Sequence, residues 1–167
     1  ARLRCGIAEH FNVAQSNVHA YVFGEHGDSS FIPWSKATIS VVPVDEYEQT
    51  MEKSGIDVDP IDKAAMLEYV QKSGGKIIAN KGATFYAVSS SVCKICSILL
   101  ASTDTLSTVS TMMHGEYGIE DVCLSTLVLV GPNGVQRRIE VSLTDEEVAL
   151  LHKSADTLKD IISQLEI

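Results

Sequence analysis

The chain has 167 residues, enough for one domain with a sizeable core, and 45% of them are apolar. That composition excludes collagen, coiled coil and disorder as whole-chain readings. Lys and Arg number 13 against 22 Asp and Glu, and the resulting net charge of -9 argues against a nucleic-acid partner, since no basic run offsets it.

No apolar run approaches the roughly 18 residues of a membrane span. The start lacks an apolar signal core, which points to the cytoplasm. The four cysteines are irregularly spaced, unlike a secreted disulfide framework.

In chain order, Leu3, Ile7 and Phe11 recur at helical spacing, so a first helix is expected to about Phe11. No Ser, Thr, Asp or Asn precedes it as a cap, which suggests a cut end, with trimming of a short tail as the alternative. Asn17 to Phe23 alternates and reads as a strand. It feeds the polar turn Gly24-Glu25-His26-Gly27-Asp28-Ser29-Ser30. Thr38 to Val44 reads as a second strand, with Pro43 pushing it toward a sheet edge.

Asp45 to Val58 is acidic and without clear period. Asp59-Pro60 marks a helix start carrying Ile61, Ala64, Ala65, Leu67 and Val70, with Gly74 and Gly75 as an interruption. Thr84 to about Leu100 is expected as a helix with Val88, Val92, Ile95 and Leu99 on one side. Leu106 to Met113 and Val122 to Val130 read as strands. Pro132-Asn133-Gly134 is a hairpin signal, with Asn-Gly expected to take positive φ, and Arg137 to Val141 returns as the partner strand. Thr144-Asp145-Glu146-Glu147 is a capping box opening a final helix, with Val148, Leu151, Ala155, Leu158, Ile162 and Leu165 facing inward. The order predicts an α+β fold with a largely antiparallel sheet, residues 1–167 forming one domain.

Three groups could carry chemistry. His26 sits in a glycine-bounded turn where an imidazole can exchange a proton near neutral pH; a solvated loop histidine is the alternative. Arg2 and Arg4, two apart on a helix, point in different directions, so one can face a pocket and grip a carboxylate or phosphate. Cys93 and Cys96 form C-x-x-C within an apolar helical stretch, which favours small core side chains over a redox or zinc site. There is no G-x-G-x-x-G and no G-x-x-x-x-G-K-[ST], so no cofactor-binding residue and no metal site is identified in the chain.

The stretches Ala1-Arg2-Leu3-Arg4, Gly24 to Ser30 with Pro33 and Trp34, Lys81-Gly82-Ala83-Thr84, and Leu143 to Glu147 together resemble the lactate/malate dehydrogenase superfamily. The resemblance is to the C-terminal, substrate-binding half of the bacterial L-lactate dehydrogenases and covers essentially the whole chain. It implies that His26 gives a proton to the keto oxygen of pyruvate. Arg2 grips the substrate carboxylate with two hydrogen bonds, and Thr84 lines the pocket beside the nicotinamide. Arg4 and His19 correspond to residues that bind fructose 1,6-bisphosphate at a subunit interface.

The chemistry suits these residue types. A protonated imidazole neutralises the alkoxide that develops as hydride reaches the carbonyl carbon, and a forked guanidinium orients the acid. In the family, NAD is bound mainly by a preceding Rossmann half, which this chain lacks along with the aspartate that orients the histidine. The chain alone is therefore expected to bind NADH poorly. The family's dimers or tetramers form largely through this half. The competing readings are a catalytically inactive assembly domain and a malate dehydrogenase.

Overall fold

The structure, a computed structural model, describes residues 1–165. Helix α1 (Arg2–His10) starts without a side-chain cap and buries Leu3, Ile7 and Ala8; Phe11, which follows it, is buried too, as the four-residue spacing anticipates. Helix α3 (Lys63–Lys81) packs against α1 at Gly6, where a Cβ would stand 2.8 Å from the Met66 sulfur.

The expected strand over Asn17–Phe23 is shorter. Only β1 (Val18–His19) enters a ladder, pairing with β2 (Thr38–Ile39). Beyond it the chain leaves that sheet, and Phe23 and Gly24 make isolated bridges to Phe31 and Ser125. The expected second strand is also split. Ser40 adopts φ 53, turning β2 back onto β3 (Val42–Pro43), and β3 lies at the edge of the β1-β2-β3 order. Pro43 thus occupies the edge position that its missing N–H demands.

Helix α2 (Val44–Glu52) falls in the acidic stretch where no element was expected. Asp45 and Glu46 occupy its first turn, where carboxylates meet the positive end of the helix dipole. Helix α3 begins later than the Asp59-Pro60 signal, because Asp62 is the cap: its Oδ1 accepts from the Ala65 amide at 2.9 Å. Gly74 and Gly75 do not interrupt α3, which runs on to Gly82 (φ 81).

Helix α4 (Tyr86–Leu99) forms as expected, but its apolar side is not a core face. Ile98 is buried, whereas Val88 and Val92 are 52% and 54% exposed. Cys93 and Cys96 are exposed, which overturns the expectation of small core side chains.

The second sheet is a meander, β4 (Thr105–His114), β5 (Glu120–Gly131) and β6 (Gly134–Arg138), antiparallel throughout. Along β5, Val122, Leu124, Thr126, Val128 and Val130 are buried at period two. The β5–β6 turn differs from the Asn-Gly expectation: Gly134 has φ 81 and Asn133 is not among the positive-φ residues. Pro132 fixes a negative φ at the first central position, which rules out a turn with both central residues left-handed. Pairing resumes at Gly134, opposite Gly131, so β6 starts and ends earlier than the expected Arg137–Val141.

Helix α5 (Asp145–Ser163) opens with the anticipated capping box, Thr144 Oγ1 accepting from Glu147 N and Glu147 Oε2 accepting from Thr144 N. Leu151 and Ala155 are buried against the second sheet, but Ile162 and Leu165 are exposed because the last turns project past that core.

Among the described residues there are two larger apolar clusters and one small one, the small one packing Ile98 of α4 on Val128 and Val130 of β5. Of the larger two, one joins α1, the first sheet, α2 and α3; the other joins the second sheet to α5 and takes in Phe23 and Phe31. The antiparallel α+β architecture expected from the element order is what forms. The segment from Phe23 to Phe31, with Ile32 following in the other cluster, is the seam between the two.

Candidate functional site

The seam segment is the histidine turn. It closes on itself where Phe23 N donates to Phe31 O at 2.9 Å and Phe31 N donates to Phe23 O at 3.0 Å. Gly24 exchanges two further bonds with Ser125 on β5, at 3.0 and 2.9 Å. Its φ of 94 and the Ser154 hydroxyl, 2.6 Å from where a Cβ would stand, both require glycine.

Inside the turn, the Glu25 amide donates to Ser154 Oγ at 2.7 Å, and Ser154 on α5 is fully buried. Glu25 Oε1 accepts from the Ser29 amide at 3.1 Å and the Ser29 hydroxyl at 2.7 Å. From the other side, Gln71 on α3 donates to Asp28 O and Ser30 O, each at 3.0 Å. The backbone carrying His26 is therefore fixed on three sides while the imidazole itself stays exposed.

His26 and Arg2 line one open cleft of about 580 Å³. Val22, Val70, Val88 and Val92 give it an apolar wall, and Arg2 supplies its positive charge. The Arg2 guanidinium passes over α3 at Gly74, whose absent side chain would come 3.8 Å from Nη1. A forked cation and an exchangeable proton facing one apolar cleft can hold a small anion by its carboxylate and protonate a group beside it.

The other anticipated residues lie elsewhere. Thr84 is half-buried in the α3–α4 connection and is not among the cleft-lining residues. Arg4 turns away from the cleft: its Nη2 donates to Gln15 O at 3.2 Å, and its buried Nε has no partner among the described residues. His19 is exposed on β1, opposite Thr38. Among the described residues there is no group of three or more His, Cys, Asp or Glu placed to hold a metal ion, and no helix is long and apolar enough to cross a membrane.

Gln71 and Ser154 escaped the sequence reading. Their partners are backbone groups and serine hydroxyls of the turn, between 41 and 129 residues away along the chain, so no local pattern signals them.

Fold and cleft together define an α+β domain with one open, partly apolar cleft bordered by both Arg2 and His26. Residues 1–166 match the family model described as lactate/malate dehydrogenase, alpha/beta C-terminal domain, and the chain belongs to that family. It is 41% identical over 167 residues to L-lactate dehydrogenase of Acetivibrio thermocellus, covering 100% of this chain and 52% of the relative. It is 37% identical over 166 residues to L-lactate dehydrogenase 2 of Clostridium acetobutylicum, covering 99% and 50%. Among solved structures, the L-lactate dehydrogenase from Clostridium thermocellum superposes with a TM-score of 0.86 at 36% identity, covering 99% of this chain and 53% of that one. The minor L-lactate dehydrogenase from Enterococcus mundtii gives 0.87 at 31% identity, covering 99% and 52%. The chain thus spans about half the length of the relatives it matches.

Proposed function

We propose that this chain supplies the substrate side of an NAD-dependent L-lactate dehydrogenase, interconverting pyruvate and L-lactate. The observation that carries the reading is the shared cleft of Arg2 and His26. Arg2 forms two parallel hydrogen bonds to the substrate carboxylate, turning the keto group toward the imidazole. Protonated His26 donates to the keto oxygen as negative charge develops there, and the reverse reaction returns that proton to the ring. Thr84 takes the place that the family resemblance implies for it, lining the substrate pocket beside the nicotinamide.

The chain's own residues do not fit a dinucleotide pyrophosphate. Among the described residues no glycine-rich turn leads from a strand into a helix, and the one adjacent glycine pair, Gly74-Gly75, lies inside α3. Hydride chemistry therefore belongs to a nicotinamide held by groups outside these residues. Arg4 and His19 form a second anion site, for the phosphates of fructose 1,6-bisphosphate, in a cytoplasmic homodimer or homotetramer.

The test is a chimera joining the N-terminal half of the Acetivibrio thermocellus relative to this chain. Pyruvate-dependent NADH oxidation is expected, with oxaloacetate turned over more slowly. His26→Asn lowers kcat by about 10²- to 10⁴-fold, and Arg2→Gln mainly raises the KM for pyruvate. A folded chimera whose turnover ignores His26→Asn refutes the assignment, and a preference for oxaloacetate favours a malate dehydrogenase. One observation supports a second reading, that the chain alone is an inactive assembly domain. Phe85 just before α4 and Tyr86, Val88 and Val92 on it are exposed, apolar surface suited to burial against other protein.

A further inference from the structure

Gln71 has no part in that chemistry, yet its side chain reaches the proton donor's backbone. Its Nε2 carries two hydrogens and faces three acceptors: Asp28 O and Ser30 O at 3.0 Å, and Ser30 Oγ at 3.3 Å. Asp28 and Ser30 follow His26 closely in the same turn. Within the turn, Ser30 N donates to Gly27 O at 3.2 Å, and Glu25 Oε1 accepts from the Ser29 amide and hydroxyl, but none of these bonds reaches the Asp28 or Ser30 carbonyl. Without Gln71, the Asp28 and Ser30 carbonyls face a half-buried helix with no donor from it.

Gln71 also stands on α3 one turn before Gly74, where the Arg2 guanidinium crosses. Val70, Gln71 and Gly74 all line the cleft. One short stretch of one helix therefore borders both the carboxylate grip and the proton donor's support.

We infer that Gln71 is a positioning residue: its carboxamide clamps the turn from α3 and sets the imidazole against a substrate held by Arg2. The inference rests on the proposed reaction for its consequence in turnover, but the clamp itself does not. The proton must travel a short, directed path, so a turn free to drift loses rate, while the carboxylate grip on α1 is left intact.

Two measurements test it. In the full 167-residue chain, Gln71→Leu should speed hydrogen exchange at the Ser29 and Ser30 amides about tenfold, with β5 amides such as Val128 unchanged. In the chimera, Gln71→Leu should lower kcat about tenfold or more and leave the pyruvate KM within about threefold. Gln71→Glu keeps the size and removes the donors, so it should be the more damaging change at neutral pH. It should recover as pH falls, because the protonated carboxyl regains a donor; a purely space-filling role would give no such profile. Unchanged exchange overturns the clamp, and changed exchange with kcat unaltered overturns the positioning role. If His26→Asn is itself active, the reaction assignment fails, and the exchange result still decides whether Gln71 clamps the turn.

Discussion

Gly24 shows how much one position can hold. Its φ of 94 and the Ser154 hydroxyl 2.6 Å from the missing Cβ leave no room for a side chain. Gly24→Ala is expected to cost at least about 2 kcal/mol, read as a lowered urea midpoint at constant m-value. Glycine at the head of the turn was legible from its place beside a histidine. The serine that excludes a side chain was not, because it comes from α5. The same division runs through the whole site. His26 and Arg2 stand in local patterns that can be recognised, whereas Gln71 and Ser154 act on backbone groups far along the chain, and a contact to backbone leaves no mark on the partner's identity. For Thr84 the resemblance anticipated a place in the pocket, but its position outside the cleft lining leaves that role a proposal.

At the scale of elements, Gly75 offers a direct test. It lies within α3, and a Cβ there would meet nothing within 4 Å. Gly75→Ala should therefore stabilise the chain by about 0.5–1 kcal/mol, measured by thermal or denaturant unfolding, since it removes unfolded-state freedom at no steric cost. Elements with strong local codes were legible: the capping box of α5, the edge proline of β3 and the period-two burial of β5. Helix α2 was missed because its nine residues bury only Val44 and Tyr47, too little for a visible period. Helix α4 was read correctly as a helix and wrongly as to burial. Periodicity reports which side of a helix is apolar, not whether anything in the same chain covers it. Cys93 and Cys96 followed that error outward.

At the scale of the molecule, the proposed bisphosphate site is a question of assembly. Two copies that meet near Arg4 and His19 would bring cations together, and a phosphate between them would relieve that repulsion. Fructose 1,6-bisphosphate should then shift the full chain toward dimers in sedimentation velocity, and Arg4→Gln should abolish the shift. An identical shift in the variant removes Arg4 from the site. The three anchors of the histidine turn also carry a temporal consequence. Gln71, Ser125 and Ser154 lie on α3, β5 and α5, which meet at the turn only after long stretches of chain have closed. The turn that carries His26 is thus held only where three segments distant in the chain have met, and fraying of any one of them removes one of its anchors.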